Sequence, residues 1–126
     1  TNDTVYSTLN LSGCSSLKYI NKYGTGTDMP YLRFLNLQGC ASLEHANLQG
    51  ASIQSLDFTD CPKMVYLDIR DNDMTKEAID SMFASLPDWS VDDGFTPGGY
   101  MLSGNASGYS AYDKAAANAK NWWSIE

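Results

Sequence analysis

Three segments of this chain follow one template. Leu9-Asn10-Leu11-Ser12-Gly13-Cys14-Ser15-Ser16-Leu17, Leu35-Asn36-Leu37-Gln38-Gly39-Cys40-Ala41-Ser42-Leu43 and Leu56-Asp57-Phe58-Thr59-Asp60-Cys61-Pro62-Lys63-Met64 all read apolar-x-apolar-x-x-Cys-x-x-apolar. A second series lies between them, in Ala46-Asn47-Leu48-Gln49-Gly50-Ala51-Ser52-Ile53 and Leu67-Asp68-Ile69-Arg70-Asp71-Asn72-Asp73-Met74, with a degenerate member starting at Ile20. Like segments recur after 21 residues, from 35 to 56 and from 46 to 67, while 9 to 35 is one period with a five-residue insertion. The extra residues fall in the Gly-rich stretch from Lys22 to Pro30, which predicts a surface loop. Such a repeat restricts the fold more than composition does, because a short unit cannot bury its own apolar edge and must stack on its neighbours.

Each unit alternates apolar with polar residues, the period of a strand with one buried face. Two strands per 21 residues make one coil of a solenoid. Leu9, Leu35 and Leu56 then stack about 4.8 Å apart, with Leu11, Leu37 and Phe58 beside them. After Met74 the pattern changes. Thr75 can cap a helix with apolar residues at Ile79, Met82, Phe83 and Leu86, stopped by Pro87. A loop with Asp92, Asp93 and Gly94 leads to Tyr100-Met101-Leu102-Ser103-Gly104-Asn105, which fits the strand template with Asn in place of Cys. Ser110 is the expected cap of a second helix from Ala111 to about Asn121, and Trp123-Ser124-Ile125 the expected closing edge strand. The expected fold is α/β: one domain over residues 1–126, with a short right-handed solenoid of about three coils and two strand series over about 7–74. A helix-strand-helix-strand C-terminal cap covers about 75–126.

Met64-x-x-Leu67-x-Ile69-x-x-Asn72-x-Met74 matches the leucine-rich repeat signature. Together with Ala78 to Asp88, Ser103-Gly104-Asn105 and Ala119-Lys120-Asn121-Trp122-Trp123, the two alternating series resemble the secreted leucine-rich repeat proteins of gut Bacteroides-type bacteria, which are similar to internalin-like and BspA-like surface proteins. The resemblance covers roughly residues 5 to 126 and departs in the small number of coils, the degenerate unit at Ile20 and Ala51 where Asn or Cys is usual. It implies an exported, non-catalytic protein engaged in binding.

Composition narrows the partners. At 126 residues the chain can remove roughly 65% of its unfolded surface from water, enough for a core without a metal or a disulfide framework. Eight Lys and Arg against fifteen Asp and Glu give a charge of -7, the wrong sign for nucleic acid or anionic lipid. The longest apolar stretches are a few residues, too short to span a bilayer. The chain opens Thr1-Asn2-Asp3-Thr4 without Met or an apolar signal segment, as a processed or excised chain would, and the expected location is secreted or cell surface.

The residues offer no catalytic constellation. Cys14, Cys40 and Cys61 lack the Cys-x-x-Cys spacing or nearby His of a metal site, and are expected as reduced, buried, inert thiols at the inward turn position. The single His45 precedes Ala46 and points outward, leaving a cysteine nucleophile without a base. Asp57 and Asp68 fall on different strand series, so paired-carboxylate glycosidase chemistry is not expected, and Asp71 and Asp73 read as solvated charges flanking Asn72. Asp71-Asn72-Asp73 and Asp92-Asp93-Gly94 lack the alternation and terminal Glu of a calcium loop. No enzyme activity, cofactor or metal is expected. The sequons at Asn2, Asn10 and Asn105 matter only in a glycosylating host.

What remains is the outward surface of the second strand series. There Tyr19, His45 and Tyr66 stack, then Asn21, Asn47 and Asp68, then Tyr23, Gln49 and Arg70, with Met101 and Ser103 continuing the face. Aromatic, amide and single-charge groups on one sheet suit an interaction surface. The candidate binding residues are Tyr19, His45, Tyr66, Asn47, Gln49, Asp68 and Arg70, with a protein ligand as the leading expectation. A carbohydrate-binding accessory module, or a spacer with no ligand, are the alternatives.

Overall fold

The computed structural model describes residues 5–21, 30–91 and 96–126. Residues 22–29 of the Gly-rich stretch, Tyr23 among them, the Asp92-Asp93-Gly94 segment and the Asn2 sequon lie outside the described residues. Among the described residues, seven strands and two α-helices follow in chain order: β1 Ser7–Asn10, β2 Tyr19–Asn21, β3 Leu32–Asn36, β4 His45–Asn47, β5 Tyr66–Asp68, α1 Lys76–Ser85, β6 Gly98–Met101, α2 Lys114–Ala119 and β7 Trp122–Ser124. They form a mixed α/β structure with two parallel sheets, β1-β3 and β2-β4-β5-β6-β7. The register keeps like template positions together. Leu9 faces Leu35, and Ile20, Ala46, Leu67 and Tyr100 follow one another across the larger sheet.

The polar residue between each pair of apolar ones closes the turn that follows. The side-chain oxygens of Asn10, Asn36, Asn47, Asp57 and Asp68 each accept the N–H two residues on, at 2.9 to 3.4 Å. Three residues after four of these, all but Asp57, the turn is left-handed, at Gly13, Gly39, Gly50 and Asp71, as it is at Gly104, the matching position of the 100–105 segment. A Cβ on Gly104 would strike the Asp71 carboxylate of the preceding unit, so this position also requires close approach between neighbours.

The Cys or Asn that comes next ties each unit to the one before it. The Cys40 thiol donates to the Leu11 carbonyl at 3.2 Å, and Cys61 reaches that of Leu37 at 3.8 Å. Asn72 Nδ2 donates to Leu48 O at 2.9 Å while its Oδ1 accepts the Ile53 N–H at 2.9 Å. Asn105 repeats both bonds, to Ile69 O and from Met74 N–H, each at 2.9 Å. Burial pushes the Cys40 thiol above its ordinary pKa and the Cys61 thiol up to about 12. Cys14 corrects the sequence reading: it is exposed, with no described unit stacked on it as Cys40 and Cys61 have.

The third member of the first strand series also departs from expectation, since residues 56–58 are not a strand. The amide of Gly13 bonds the Gln38 carbonyl at 2.8 Å, whereas the Gly39 amide is answered by the Asp60 carboxylate at 2.9 Å. The Phe58 amide turns instead to Ser85 Oγ of α1 at 2.9 Å. Side chains thus take the bonds that a third strand would have made.

Helix α1 starts as expected, with Thr75 Oγ1 accepting the Ala78 N–H at 3.2 Å and Ile79, Met82 and Phe83 buried. The second helix is shorter than expected. A 3-10 turn at Tyr109–Ala111 precedes it, and its cap is Asp113, which accepts the Ala116 N–H at 3.0 Å, rather than Ser110. The strand after it is set one residue earlier than expected. Buried Trp122 covers Gly98, donates its indole N–H to Pro87 O at 2.9 Å, and closes the core at this end.

Candidate functional site

Parallel register gathers the outward residues of β2, β4 and β5 into one row. Tyr19 and His45 have ring centroids 5.1 Å apart at 61°, and His45 and Tyr66 are 5.5 Å apart at 31°. The same row continues through Gly99 to Trp123, which leaves it with Tyr19 (59% exposed) and Trp123 (46%) as open rings at its two ends. Between them, the Ile125 side chain lies over Gly99. A shallow depression of about 300 Å³ is lined by Tyr19, Ile20, Asn21, His45, Asn47 and Tyr66.

Beside the rings runs a polar row. Asn47 and Gln49 are half-buried, the Asn47 carbonyl oxygen being the acceptor that closes the turn to Gln49. Asp68 corrects the sequence reading. It stands at the expected register but is 1% exposed, because Arg70 folds back over it with bonds of 3.0 and 2.8 Å to its two carboxylate oxygens. Asp68 therefore holds Arg70 in place rather than facing a ligand. Arg70 also donates to Gln49 Oε1 at 3.2 Å, and Gln49 Nε2 donates to Asp71 at 3.3 Å. The hydrogen bonds that Arg70 donates to Asp68 raise the guanidinium pKa above its ordinary value. At the far end, the Glu126 carboxylate accepts the Leu102 and Ser103 N–H groups at 3.1 and 2.8 Å. Burial works against its ionisation, but those bonds and Arg70 hold its pKa below the usual carboxylate value.

The structure brings together Tyr19, His45, Tyr66, Asn47, Gln49 and Arg70. Trp123, Gly99 and Ile125 were not among the sequence candidates. Trp123-Ser124-Ile125 reads as a strand with Trp123 inward; the register, which sets Trp123 beside Gly99 and buries Trp122 instead, puts its ring on the outer row.

The other candidate chemistry groups serve the fold. Asp57 accepts from both the amide and the hydroxyl of Thr59, which lowers its pKa. Asp71 and Asp73 are exposed, as expected, and each also has a partner: Gln49 for Asp71, and for Asp73 the Arg33 guanidinium at 2.9 Å. Among the described residues, no group of three or more His, Cys, Asp or Glu is placed to hold a metal ion. No described helix is long and apolar enough to cross a membrane. No protein family, curated protein or solved structure matches this chain.

Proposed function

We propose that the chain is a short right-handed leucine-rich repeat solenoid acting as a non-catalytic binding module, secreted or held at the bacterial cell surface, and that it engages a protein ligand through the ring-lined face. The 21-residue period, the parallel register and the Cys and Asn bonds between successive units support the repeat reading. The observation that carries the binding reading is the Tyr19, His45 and Tyr66 row beside Gln49 and Arg70. An aromatic strip with a satisfied polar margin has the chemistry of a protein interface.

The ring geometry favours protein over sugar at the centre of the row. A sugar ring stacks on an open aromatic face, and His45 lies against Tyr rings on both sides. The two open rings, Tyr19 and Trp123, favour the second reading, a carbohydrate-binding accessory module, at the ends alone.

Binding of the labelled domain to intact bacterial and epithelial cells, before and after surface proteolysis, would test the proposal, with a glycan array in parallel. The expected result is saturable binding that proteolysis removes and that Tyr66→Ala weakens at least about tenfold. Glycan capture unaffected by Tyr66→Ala would overturn the protein reading, and no binding on any surface would favour a spacer. A signal segment or lipoprotein cleavage site in the reading frame upstream of Thr1 is the expected mark of export, and a Met directly before Thr1 would contradict it.

A further inference from the structure

Among the described residues, one repeat amide lacks the partner that its equivalents have. The Leu11, Leu48 and Ile69 amides share a template position and donate to the Asn36, Asp68 and Met101 carbonyls of the next strand at 3.0, 2.8 and 3.1 Å. The Leu37 amide holds the same place and meets no described acceptor. Leu35 lies on the same edge. Asn36 and Gln38 turn their carbonyls to Leu11 and Gly13, so strand alternation sends the Leu35 and Leu37 amides the other way, toward residues 56–58, which are not a strand. The two units stay tied on either side of this stretch, by the Ser52 amide on the Leu32 carbonyl and the Gly39 amide on Asp60, each at 2.9 Å. Between those ties lies a groove of about 460 Å³, within the size range of ligand sites, with Leu35, Leu37, Gln38, Asp57, Thr59 and Asp60 in its walls.

We infer that this groove binds an extended peptide carrying a Lys or Arg, which pairs with the open edge of β3 and brings its cation to the Asp57 and Asp60 carboxylates. The backbone points to a peptide. Amides two residues apart on one strand edge stand roughly 6.6 Å apart, the spacing at which an extended chain presents its carbonyls. Charge points to the basic side chain. Asp57 uses one carboxylate oxygen for the Thr59 amide and hydroxyl, and Asp60 uses one for the Gly39 amide, so each keeps an oxygen without a described donor. Both carboxylates are exposed, no cationic side chain lines the groove, and the overall charge of -7 favours a basic partner. No aromatic ring lines it either, so a sugar has no platform to stack on. The inference uses the first strand series and is independent of the ring-lined face.

The test is a titration of the isotope-labelled full chain followed by its backbone amide resonances. The probes are the end-blocked peptide Thr-Val-Lys-Val-Thr, its counterpart with Glu for Lys, and cellohexaose. The Lys peptide is expected to shift the Leu35 and Leu37 amides saturably, with a Kd at or below about 1 mM, and the Glu peptide to bind at least about tenfold more weakly. Asp57→Asn and Asp60→Asn together should weaken the Lys peptide about threefold to tenfold. Both changes keep a side-chain oxygen for the local amide, as Asn10 and Asn36 do at the place of Asp57, so the fold is retained. Leu35 and Leu37 amides unmoved by the Lys peptide, equal binding of the two peptides, unchanged affinity in the double variant, or cellohexaose acting in the peptide's place would overturn the inference. Shifts confined to Tyr19, His45 and Tyr66 would overturn it too, while supporting the ring-lined face.

Discussion

The ammonium of Lys120 lies 2.8 Å from the carbonyl oxygen of Leu86 and donates as well to Phe83 and Ala84, each at 3.0 Å. One cation thus satisfies the last carbonyls of α1 at the negative end of its dipole, and fastens that helix to the segment leading into β7. Lys120→Met keeps the aliphatic stem and removes the donors. The expected cost is about 1.5–3 kcal/mol, seen as a lower denaturant midpoint at unchanged slope. A midpoint equal to that of the parent chain would remove Lys120 from this role.

Asn72→Ala leaves the Ile53 N–H and the Leu48 C=O without their partner in the buried interior, at an expected cost of about 2–4 kcal/mol. Asn72→Cys should cost less, because a thiol at the equivalent turn position donates to the preceding unit, as Cys40 does. Chemical denaturation of both variants compares them directly. Equal losses would separate the Cys and Asn positions into unrelated roles.

The three thiols should differ in reactivity. In native protein one equivalent, Cys14, is expected to react with a thiol reagent, with Cys40 and Cys61 appearing after unfolding. Cys61 also sets an alkaline limit. Its pKa is raised from 9.0 in the unfolded chain to about 12 in the fold, so its contribution is intact below pH 9 and is lost as pH rises toward 12. Over that window the unfolded chain releases a proton that the native state keeps, and stability should fall by up to about 1.4 kcal/mol per pH unit. Unfolding curves at several pH values, compared with Cys61→Ala, isolate this slope.

Neighbouring glycines in β6 should respond oppositely to a methyl group. Gly98→Ala drives a Cβ into the buried Trp122 ring, with an expected loss of about 1–3 kcal/mol, whereas Gly99→Ala meets the end of the exposed Ile125 side chain at 3.4 Å. Gly99→Ala is expected within about 0.5 kcal/mol of the parent. Comparable thermal midpoints for the two variants would refute the contrast.

The repeat makes the register of Ile20, Ala46 and Leu67 legible, because strand periodicity and a fixed spacing together decide which residues face inward and which meet. It also puts Tyr19, His45 and Tyr66 on one row. Asp68 shows where that logic stops: pattern assigns a face, but not the Arg70 side chain two residues on that folds back and covers the carboxylate. Residues 56–58 keep the template, yet Asp60 and Ser85 divert the backbone bonds, a competition between side chain and strand that spacing does not reveal. Cys14 matches Cys40 in sequence and differs in its surroundings alone. The second helix begins late because Ser110 lies inside the 3-10 turn at Tyr109–Ala111, and Asp113, three residues on, caps the helix instead.

Leu11, Leu17 and Ile20 are half-buried where Leu37, Leu43 and Ala46 are buried, and this gradient governs how the molecule opens. Each unit leans on the one after it, and the firmest anchorage is at Trp122, so the strands do not share one protection against solvent exchange. Amide protons of β1 and β2 should exchange through local fraying, while those of β5 and β6, between paired strands on both sides, wait for global unfolding. In kinetic terms, opening of the described strands starts at β1 and β2 and runs toward Trp122.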